Sequence, residues 1–507
     1  MIRVSQQMLF TNYISNMNSS LSQYMDLNMQ AASQKRINKG SDDPAGIYQV
    51  YNHREVLSSI TQYRSNIGTA QGWLKQADDT ILQVNGIVTR LKELAEQGST
   101  GHLSADNREQ ISYEVREMYN QLITLANQRF EGKSIFAGHK IEGSAFEAAM
   151  WMRGNGNADL SGVNFRVEGD TPKTMLIQML DGDGATPLAV GDQFRYSADG
   201  GKTFTTTAVG TDANGDFLLD MGGVRVTIDS TTPPQFTAVN PANTNDTSGS
   251  WMWVYPTAQY MGDDKDKIEV DKFGAPAAMT ATASGVFSKN TLVRIDSVGA
   301  EIGYSYSTDG GSTWKQNNTA PLGTPAVLTV PGGTLALDGA PLAAGQQYSI
   351  RPRTADISVA ISNNESVVIN GIGKDIFGGI YQDPDDSSPH LVFGDDRNKN
   401  LFDTVGRLLS SLETNNQSGC QEALENLRTA SAHLLNQVAS YAGRENRLTV
   451  AKNVLTNLQF NEEDRLSAVE DVDVTELMTK LAQQQLGYEA VLKSSAGIMR
   501  LSLMNFI

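Results

Sequence analysis

The chain has 507 residues, more than a single hydrophobic core usually holds, so its length predicts about three domains. Its 40 Lys and Arg residues against 57 Asp and Glu residues give a formal net charge of −17, which disfavours nucleic acid as a partner. A hydrophobic share of 39% excludes a chain that is disordered throughout.

The beginning of the chain shows no sign of a cleaved signal peptide. The apolar residues up to Phe10 are soon interrupted by Thr11, Asn12 and Ser15, and no stretch approaches the roughly 18 apolar residues of a membrane-spanning helix. We therefore expect a protein that stays in the cytoplasm or is exported without a cleavable signal. Cys420, the single cysteine, permits no intramolecular disulfide and is predicted to be a structural or surface thiol.

Three helices are predicted in the N-terminal part of the chain. Apolar residues at alternating spacings of three and four mark the first helix and, from Ile60 to Ala95, form a coiled-coil seam on the second. Between them, Gly40 can end one helix, Asp43 can cap the next and Pro44 suits its first turn. The third helix has one apolar face, formed by Ile111, Val115, Met118, Leu122 and Leu125.

The C-terminal part of the chain repeats this spacing. A long helix is predicted from Leu427, Ser431, Leu434, Val438, Tyr441, Leu448 and Leu455. A final helix is predicted from Val474, Leu477, Leu481, Gln484, Tyr488, Val491, Ser495 and Ile498. Both ends of the chain are therefore predicted to be amphipathic helices.

Between about residues 138 and 400 the composition changes to Gly, Thr, Asp and Pro with short alternating runs, which predicts antiparallel β-structure. This middle part repeats itself. Residues 196–204 read YSADGGKTF and residues 306–314 read YSTDGGSTW, and Gly222-Gly223 and Gly332-Gly333 keep the same offset of 110 residues. We infer two related β modules in tandem.

Each copy of the repeated motif resembles the Asp-box hairpin of sialidases and other β proteins. In that hairpin an aspartate braces a tight turn and an aromatic side chain packs beneath it, which hydrogen bonding in the turn explains without a ligand. We predict structural turns rather than a glycan site, and the residues concerned are Asp199, Gly201, Phe204, Asp309, Gly311 and Trp314.

Residues typical of catalysis do not cluster. The five histidines are scattered singly and form neither an HExxH nor a His-x-His pattern. We therefore expect no enzyme activity, no catalytic residue, no cofactor and no metal site.

Four stretches resemble a known family. QKRINKGSDDPAG at residues 34–46 resembles the loop of the flagellin family that precedes its second helix. FEGKSIFAG at residues 130–138 looks like a signature of hook-filament junction proteins, although Ser134 replaces the usual aromatic residue. NLFDTV at residues 400–405 is similar to the point where the family re-enters its helical core, and LSLMNFI at residues 501–507 resembles the ending of junction proteins.

The resemblance implies a structural component of the bacterial flagellum that lies outside the cell. Its terminal helices would pair in an inner tube, with axial packing by Ile14, Met17, Leu21, Tyr24, Leu477, Leu481, Tyr488 and Val491. An export chaperone would bind a second face, formed by Met478, Leu492, Ile498 and Met499. The implied partners are copies of the chain in a ring, the first hook-associated junction protein, flagellin and a cytoplasmic export chaperone.

The predicted fold class is α+β and multidomain, a coiled-coil bundle of both chain ends with an inserted β-rich region. The predicted divisions are terminal helices at 1–40 and 470–507, a helical bundle at 41–140 and 400–469, and β modules at 141–265 and 266–399. Two other functions remain open at this point. The first is a flagellin that forms the bulk of the filament, and the second is a glycan-binding surface protein that uses the Asp-box-like turns.

Overall fold

The computed structural model describes residues 6–504 except 264–267, 286, 288, 353–354, 383–388 and 395–396. The side chains of Ile498 and Met499, two residues of the predicted chaperone face, lie outside the described part. So do residues 505–507 of the ending that resembles junction proteins.

Helices occupy both ends of the chain, as the spacing of apolar residues predicts. They are α1 Gln6–Ser33, α2 Pro44–Gly98, α3 Ala105–Ala126, α4 Gly373–Phe377, α5 Leu401–Glu413, α6 Gln417–Glu470 and α7 Val474–Met504, with a 3-10 turn at Arg397–Lys399. The described helices include none with the length and hydropathy needed to cross a membrane.

The predicted end of the first helix at Gly40 is wrong. α1 ends at Ser33 because Gln34 takes a left-handed conformation, with φ 58°. The next residues then pair with the chain after α6 instead of continuing the helix, since Arg36 N donates to Glu470 O at 2.7 Å. The predicted start of α2 is confirmed, because Asp43 Oδ1 accepts from Gly46 N at 2.9 Å and Pro44 is the first helical residue.

The middle of the chain is built of short strands, as its composition predicts. The first are β1 Arg129–Phe130, β2 Lys133–Ser134, β3 Phe146–Gly154, β4 Phe165–Gly169, β5 Met175–Met179, β6 Asp183–Pro187, β7 Gln193–Ser197, β8 Thr205–Ala208, β9 Gly210–Thr211, β10 Phe217–Asp220, β11 Val224–Ile228, β12 Gln235–Thr237 and β13 Trp251–Tyr260. The others are β14 Ile268–Phe273, β15 Thr280–Gly285, β16 Thr291–Val298, β17 Glu301–Ser307, β18 Lys315–Pro321, β19 Ala326–Val330, β20 Gly333–Asp338, β21 Gln347–Pro352, β22 Ser358–Ser362, β23 Glu365–Val368, β24 Ile380–Tyr381 and β25 His390–Leu391.

Residues 146–260 form what we call the first β region. Its larger sheet runs β3-β13-β5-β7-β8, and β24 with β25 extends the free edge of β13 next to β5. Its smaller sheet runs β4-β11-β10-β9, and a separate pair joins β6 to β12. The two sheets share one core, whose fully buried members include Ile177, Phe194, Leu219, Val226 and Val254.

Residues 268–352 form the second β region. Its larger sheet runs β14-β21-β16-β17-β18 and its smaller sheet runs β15-β20-β19. A second core lies between them, built around Val293, Ile302, Leu335, Tyr348 and Ile350. No residue belongs to both cores.

The seam predicted on α2 is confirmed by burial. Ile67, Ala70, Leu74, Ala77, Ile81, Val84, Val88, Leu91 and Ala95 are completely buried. On α6, Leu427, Leu434 and Leu448 are also completely buried. These helices therefore bury one continuous apolar stripe each, which is the arrangement that stabilises long paired helices.

The first β region is attached to the helices through buried aromatic side chains. Phe402 of α5 packs against Phe146 of β3 with ring centroids 5.0 Å apart and against Tyr119 of α3 at 6.4 Å. Tyr255 of β13 donates a hydrogen bond to Asp403 Oδ1 at 2.6 Å, and burial raises the pKa of this carboxyl. Helices and sheet thus share a polar contact within the apolar packing.

The described residues fall into two compact units. What we call the terminal unit comprises Met1–Thr69, Ala360–Ser366 and Asn446–Ile507, and the central unit comprises Ala70–Val359 and Val367–Glu445. α2 and α6 contribute residues to both units. The central unit holds the two β regions, α3, α4 and α5.

Candidate assembly interface

α1 and α7 lie antiparallel in the terminal unit, and the residues predicted for axial packing lie on their facing sides. Tyr24 and Tyr488 stack with ring centroids 6.3 Å apart and planes inclined by 2°. Leu477 is buried, and the other seven are half-buried: Ile14, Met17, Leu21, Tyr24, Leu481, Tyr488 and Val491. Tyr24 and Tyr488 therefore lie where α1 and α7 pair, and the axial-packing role of the eight residues stays a prediction.

A polar residue in the middle of this face was not among the predicted site residues. Gln484 donates hydrogen bonds to the backbone oxygen of Ser20 at 3.2 Å, to Ser20 Oγ at 3.2 Å and to Gln23 Oε1 at 3.1 Å. Its place in the apolar spacing of α7 was the only signal in the sequence. Such a side chain fixes the lengthwise register of two helices better than apolar contacts do.

The terminal unit leaves much apolar surface uncovered. Met478 and Leu492, predicted for the chaperone face, are 54% and 42% exposed, and their neighbour Leu486 is 68% exposed. Further exposed large apolar side chains of this unit are Met8, Met25, Met29, Tyr48, Tyr51, Val56, Val450, Val454, Leu458, Phe460 and Val474. Where such side chains adjoin one another on a surface, they mark an interaction site.

The first Asp-box-like turn is closed by its own side chains. Asp199 Oδ1 accepts from Ser197 Oγ at 2.7 Å and from the backbone of Lys202 and Thr203 at 3.0 and 2.9 Å. Asp199 Oδ2 accepts from Thr203 Oγ1 at 2.6 Å, and Gly201 N donates to Ser197 Oγ at 2.8 Å. Burial opposes ionisation of Asp199, but these hydrogen bonds outweigh it and lower its pKa to about 2.

The second turn repeats this geometry. Asp309 accepts from Ser307 Oγ at 2.7 Å, from Thr313 N at 2.9 Å and from Thr313 Oγ1 at 2.5 Å, and Gly311 N donates to Ser307 Oγ at 2.9 Å. Bonds from the hydroxyl and backbone of Thr313, and from Ser307, lower the pKa of Asp309 to about 2. In both aspartates, therefore, the two carboxylate oxygens accept hydrogen bonds from within the turn.

The aromatic residue of each motif lies beside an arginine. The guanidinium of Arg195 stands over the Phe204 ring at 5.0 Å, and that of Arg294 over the Trp314 ring at 4.7 Å. Such cation–π contacts hold an aromatic side chain in place at the base of a hairpin. The arginines were not found from the sequence, because they lie on the preceding strands rather than in the motif.

The surroundings of the two turns differ. A Cβ placed on Gly200 would lie 2.3 Å from the backbone oxygen of Glu413, the last residue of α5, whereas one placed on Gly310 would meet nothing within 4 Å. Lys202 Nζ also pairs with Glu109 of α3 at 2.9 Å. The first turn therefore lies against the helices of the central unit, while the second projects into open space.

A metal centre and a reactive cysteine are two other kinds of functional site. The described residues contain no group of three or more His, Cys, Asp or Glu side chains placed to hold a metal ion. Cys420 is completely buried, and its burial raises the pKa of the thiol to about 11. A protonated buried thiol is a poor nucleophile.

The N-terminal part of the chain is similar to a known protein family. Residues 4–140 match the bacterial flagellin N-terminal helical region. This part of the chain is flagellin-like. The match covers α1, α2 and α3, including the loop at residues 34–46 on which the resemblance was first based.

Named relatives belong to the flagellum. Flagellar hook-associated protein 3 of Salmonella typhimurium is 28% identical over 149 residues, which cover 29% of this chain and 47% of that protein. Flagellin FlaB1 of Treponema pallidum is 26% identical over 128 residues, which cover 24% of this chain and 45% of that protein. The chain thus spans about half the length of the curated relatives it matches.

A crystal structure of flagellar hook-associated protein 3 from Legionella pneumophila aligns with 83% of this chain and 98% of its own length. Its identity is 14% and its TM-score is 0.31. So low a TM-score does not establish a common arrangement of the two whole chains.

Proposed function

We propose that this chain is a structural subunit of the bacterial flagellum that joins the hook to the filament. The observation that carries the proposal is the pair of terminal helices, which stack Tyr24 on Tyr488 yet leave large apolar side chains in water. Burying one such side chain contributes about 1.5–3 kcal/mol, so packing among many subunits would be strongly favourable. The similarity to hook-associated protein 3 and to flagellins supports the same conclusion.

The partners follow from the junction role. Copies of the chain would form a ring that docks on the first hook-associated junction protein on one side and on flagellin on the other. The subunit would act outside the cell. Its terminal helices would become fully ordered only on incorporation, because neighbouring copies would then cover the apolar surface that the single chain leaves exposed.

A cytoplasmic export chaperone would bind α7 before export, through the exposed side that includes Met478 and Leu492, with Ile498 and Met499 as further candidates. Truncation of residues 472–507 should abolish the complex, measured by gel filtration of the two purified proteins. A second variant, Met478→Ser with Leu492→Ser, should weaken the complex while leaving the helix intact. Undiminished binding by the truncated chain would refute the assignment.

We also propose that the two β regions are related modules in tandem and that they face outward. Three observations support their relationship: a matching order of the five strands that each region contributes to its larger sheet, a matching order in the smaller sheets apart from the extra strand β9, and the same turn at Asp199 and Asp309. The four domains predicted from the sequence remain a proposal about which parts fold together. Excision of about residues 150–370 should harm assembly less than loss of either terminal helix.

A flagellin is the second candidate, because named flagellins match the same N-terminal part of the chain. Immunogold labelling of intact flagella separates the two functions. We expect label only at the boundary between hook and filament, whereas label along the whole filament would establish the flagellin. Purified protein that elongates into long filaments by itself would contradict the junction role.

A further inference from the structure

The two ends of the chain meet at a short backbone pairing between α1 and α7. Lys35 and Asp471 form an isolated antiparallel bridge, Arg36 N donates to Glu470 O at 2.7 Å, and Val472 N donates to Gln34 O at 3.2 Å. We call this pairing, residues 34–36 with 470–472, the terminal junction. Because α1 ends and α7 begins beside it, its geometry determines where the two helices start to run along each other.

A buried carboxylate lies within the terminal junction. Glu470 is only 4% exposed. Its Oε1 lies 2.5 Å from Lys35 Nζ and also contacts the guanidinium of Arg54 on α2. The carboxylate thus joins three separate stretches of chain: the residues after α1, Arg54 about three turns into α2, and the last residue of α6.

The neighbours of Glu470 could not take its place. Asp471 is exposed and accepts a hydrogen bond from Ser467 Oγ at 2.6 Å, and Val469 presents its backbone oxygen to the Arg36 guanidinium at 2.9 Å. A slip of one residue would therefore leave Lys35 and Arg54 without the buried carboxylate. Lys35 and Arg54 are more than 40% exposed, so Glu470 is the buried member of these ion pairs, and its carboxylate depends on the two cations to compensate for its lost hydration.

We propose that Glu470 is a positioning residue that holds α1 in register with α7. It acts through the terminal junction, so that the contacts farther along, Tyr24 with Tyr488 and Gln484 with Ser20, meet as they do. The inference deepens the proposed function and rests on it, because the register of the paired helices determines the surface offered to neighbouring subunits.

The test uses the full chain with cysteines at two places in the terminal unit. Ser20→Cys with Gln484→Cys reports the α1–α7 pair, and Tyr63→Cys with Asn363→Cys reports a contact away from the junction, where Tyr63 Oη donates to Asn363 Oδ1 at 3.4 Å. The native Cys420 stays, since it is completely buried. A short bismaleimide measures the rate of cross-linking in each pair.

Glu470→Gln should slow cross-linking at 20–484 about tenfold and change that at 63–363 less than twofold. Glu476→Gln is the matched control, because Glu476 forms an exposed ion pair with Lys480 on α7 at 2.7 Å. It should change neither rate by more than about twofold. A general loss of stability would slow both pairs, so the ratio of the two rates identifies positioning.

Lys35→Met and Arg54→Met test the inference even if the Glu470→Gln chain does not fold. Both side chains are more than 40% exposed, so their replacement should leave the fold intact. Each should slow only the 20–484 pair, by a smaller factor. Equal rates at 20–484 in the native and Glu470→Gln chains, or no cross-linking at 20–484 in the native chain, would overturn the inference. These outcomes differ from failure of the proposed function, which immunogold labelling of the native chain reports independently.

Discussion

The two β regions share an order of strands and differ in what surrounds them. Each region contributes five strands to a larger sheet that shares a core with a smaller one. The turn closed by Asp199 or Asp309 joins the last two of these five strands. The first region lies against α3 and α5, whereas the hydrogen bonds and ion pairs of described residues in the second region stay within it. Similar strands and turns can therefore serve either as part of a helical scaffold or as a body attached to it.

The attachment of the first region depends on a few polar residues at the ends of α3 and α5. The carboxylate of Glu413 is 3% exposed, pairs with Arg116 at 2.7 Å and accepts from Thr174 N at 2.6 Å. Tyr119 Oη of α3 donates to the backbone oxygen of Thr257 on β13 at 2.5 Å. The hydrogen bonds of Glu413 with Thr174 and of Tyr119 with Thr257 join a helix to the first β region, and their burial makes them more valuable than an ion pair in water.

The largest expected effect concerns the number of unfolding transitions. The second β region has its own core and about 85 residues, enough for an independent domain, so calorimetry should show a transition of its own. Leu335→Ala, in that core, should lower this transition by about 2–5 kcal/mol and leave the others unchanged.

Phe402→Ala should affect the first β region and leave the second unchanged. Its ring packs on α3 and β3, so its loss should destabilise helices and first β region together by about 3–5 kcal/mol without moving the transition of the second region. A single transition that both substitutions lower would break the comparison, because it would make the second region part of the same cooperative unit.

The sequence predicts the parts of this fold that depend on local spacing. Ile67, Leu74 and Ile81 mark the buried stripe of α2 because one helix face recurs every three or four residues. Asp199 and Asp309 mark turns because the aspartate, serine and threonine that close each turn lie within a few residues of each other. Local hydrogen bonds and periodicity require no knowledge of distant partners.

Contacts between distant residues were not predictable in this way. Glu470 looks like one more acidic residue at the end of a helix, and nothing near it in the sequence points to Lys35 or Arg54. Gly200 and Gly310 stand in nearly the same motif, yet only Gly200 lies against a helix end. The end of α1 was misplaced for the same reason, since the partner of Arg36 N lies more than 400 residues away.

A matched pair of glycine substitutions measures the attachment at the first turn. Gly200 and Gly310 have φ angles of 78° and 71°, so replacement by alanine adds a similar backbone strain of about 1–2 kcal/mol at each. Gly200→Ala also drives a methyl group against the backbone oxygen of Glu413. We expect a total of about 2–4 kcal/mol at Gly200 against about 1–2 kcal/mol at Gly310, measured by urea unfolding. Equal losses would show that the turn does not bear on α5.

The smallest expected effect is a difference in acid stability. Glu109 on α3 pairs with Lys173 and with Lys202, and these two hydrogen-bonded lysines lower its pKa from 4.5 to about 2. Because the folded pKa is the lower one, this contribution is complete above about pH 4.5 and disappears as the pH falls through about 2.

Glu109→Gln should therefore cost about 1 kcal/mol at pH 7, a value kept small because solvent screens the partly exposed lysines. The loss should shrink as the pH falls from 4.5 to 2, since the native carboxylate is then protonated as well. Urea unfolding at a series of pH values measures this difference for the transition of the first β region, with Glu269→Gln in the second region as the control. Glu269 belongs to an exposed pair with Arg351 at 3.4 Å, so its replacement should leave the attachment of the first region unaffected at every pH. A Glu109→Gln loss that stays constant down to pH 2 would mean that the ion pairs of Glu109 do not hold the sheet, and the attachment would then depend on the aromatic packing around Phe402 and on the buried hydrogen bonds of Glu413 and Tyr119.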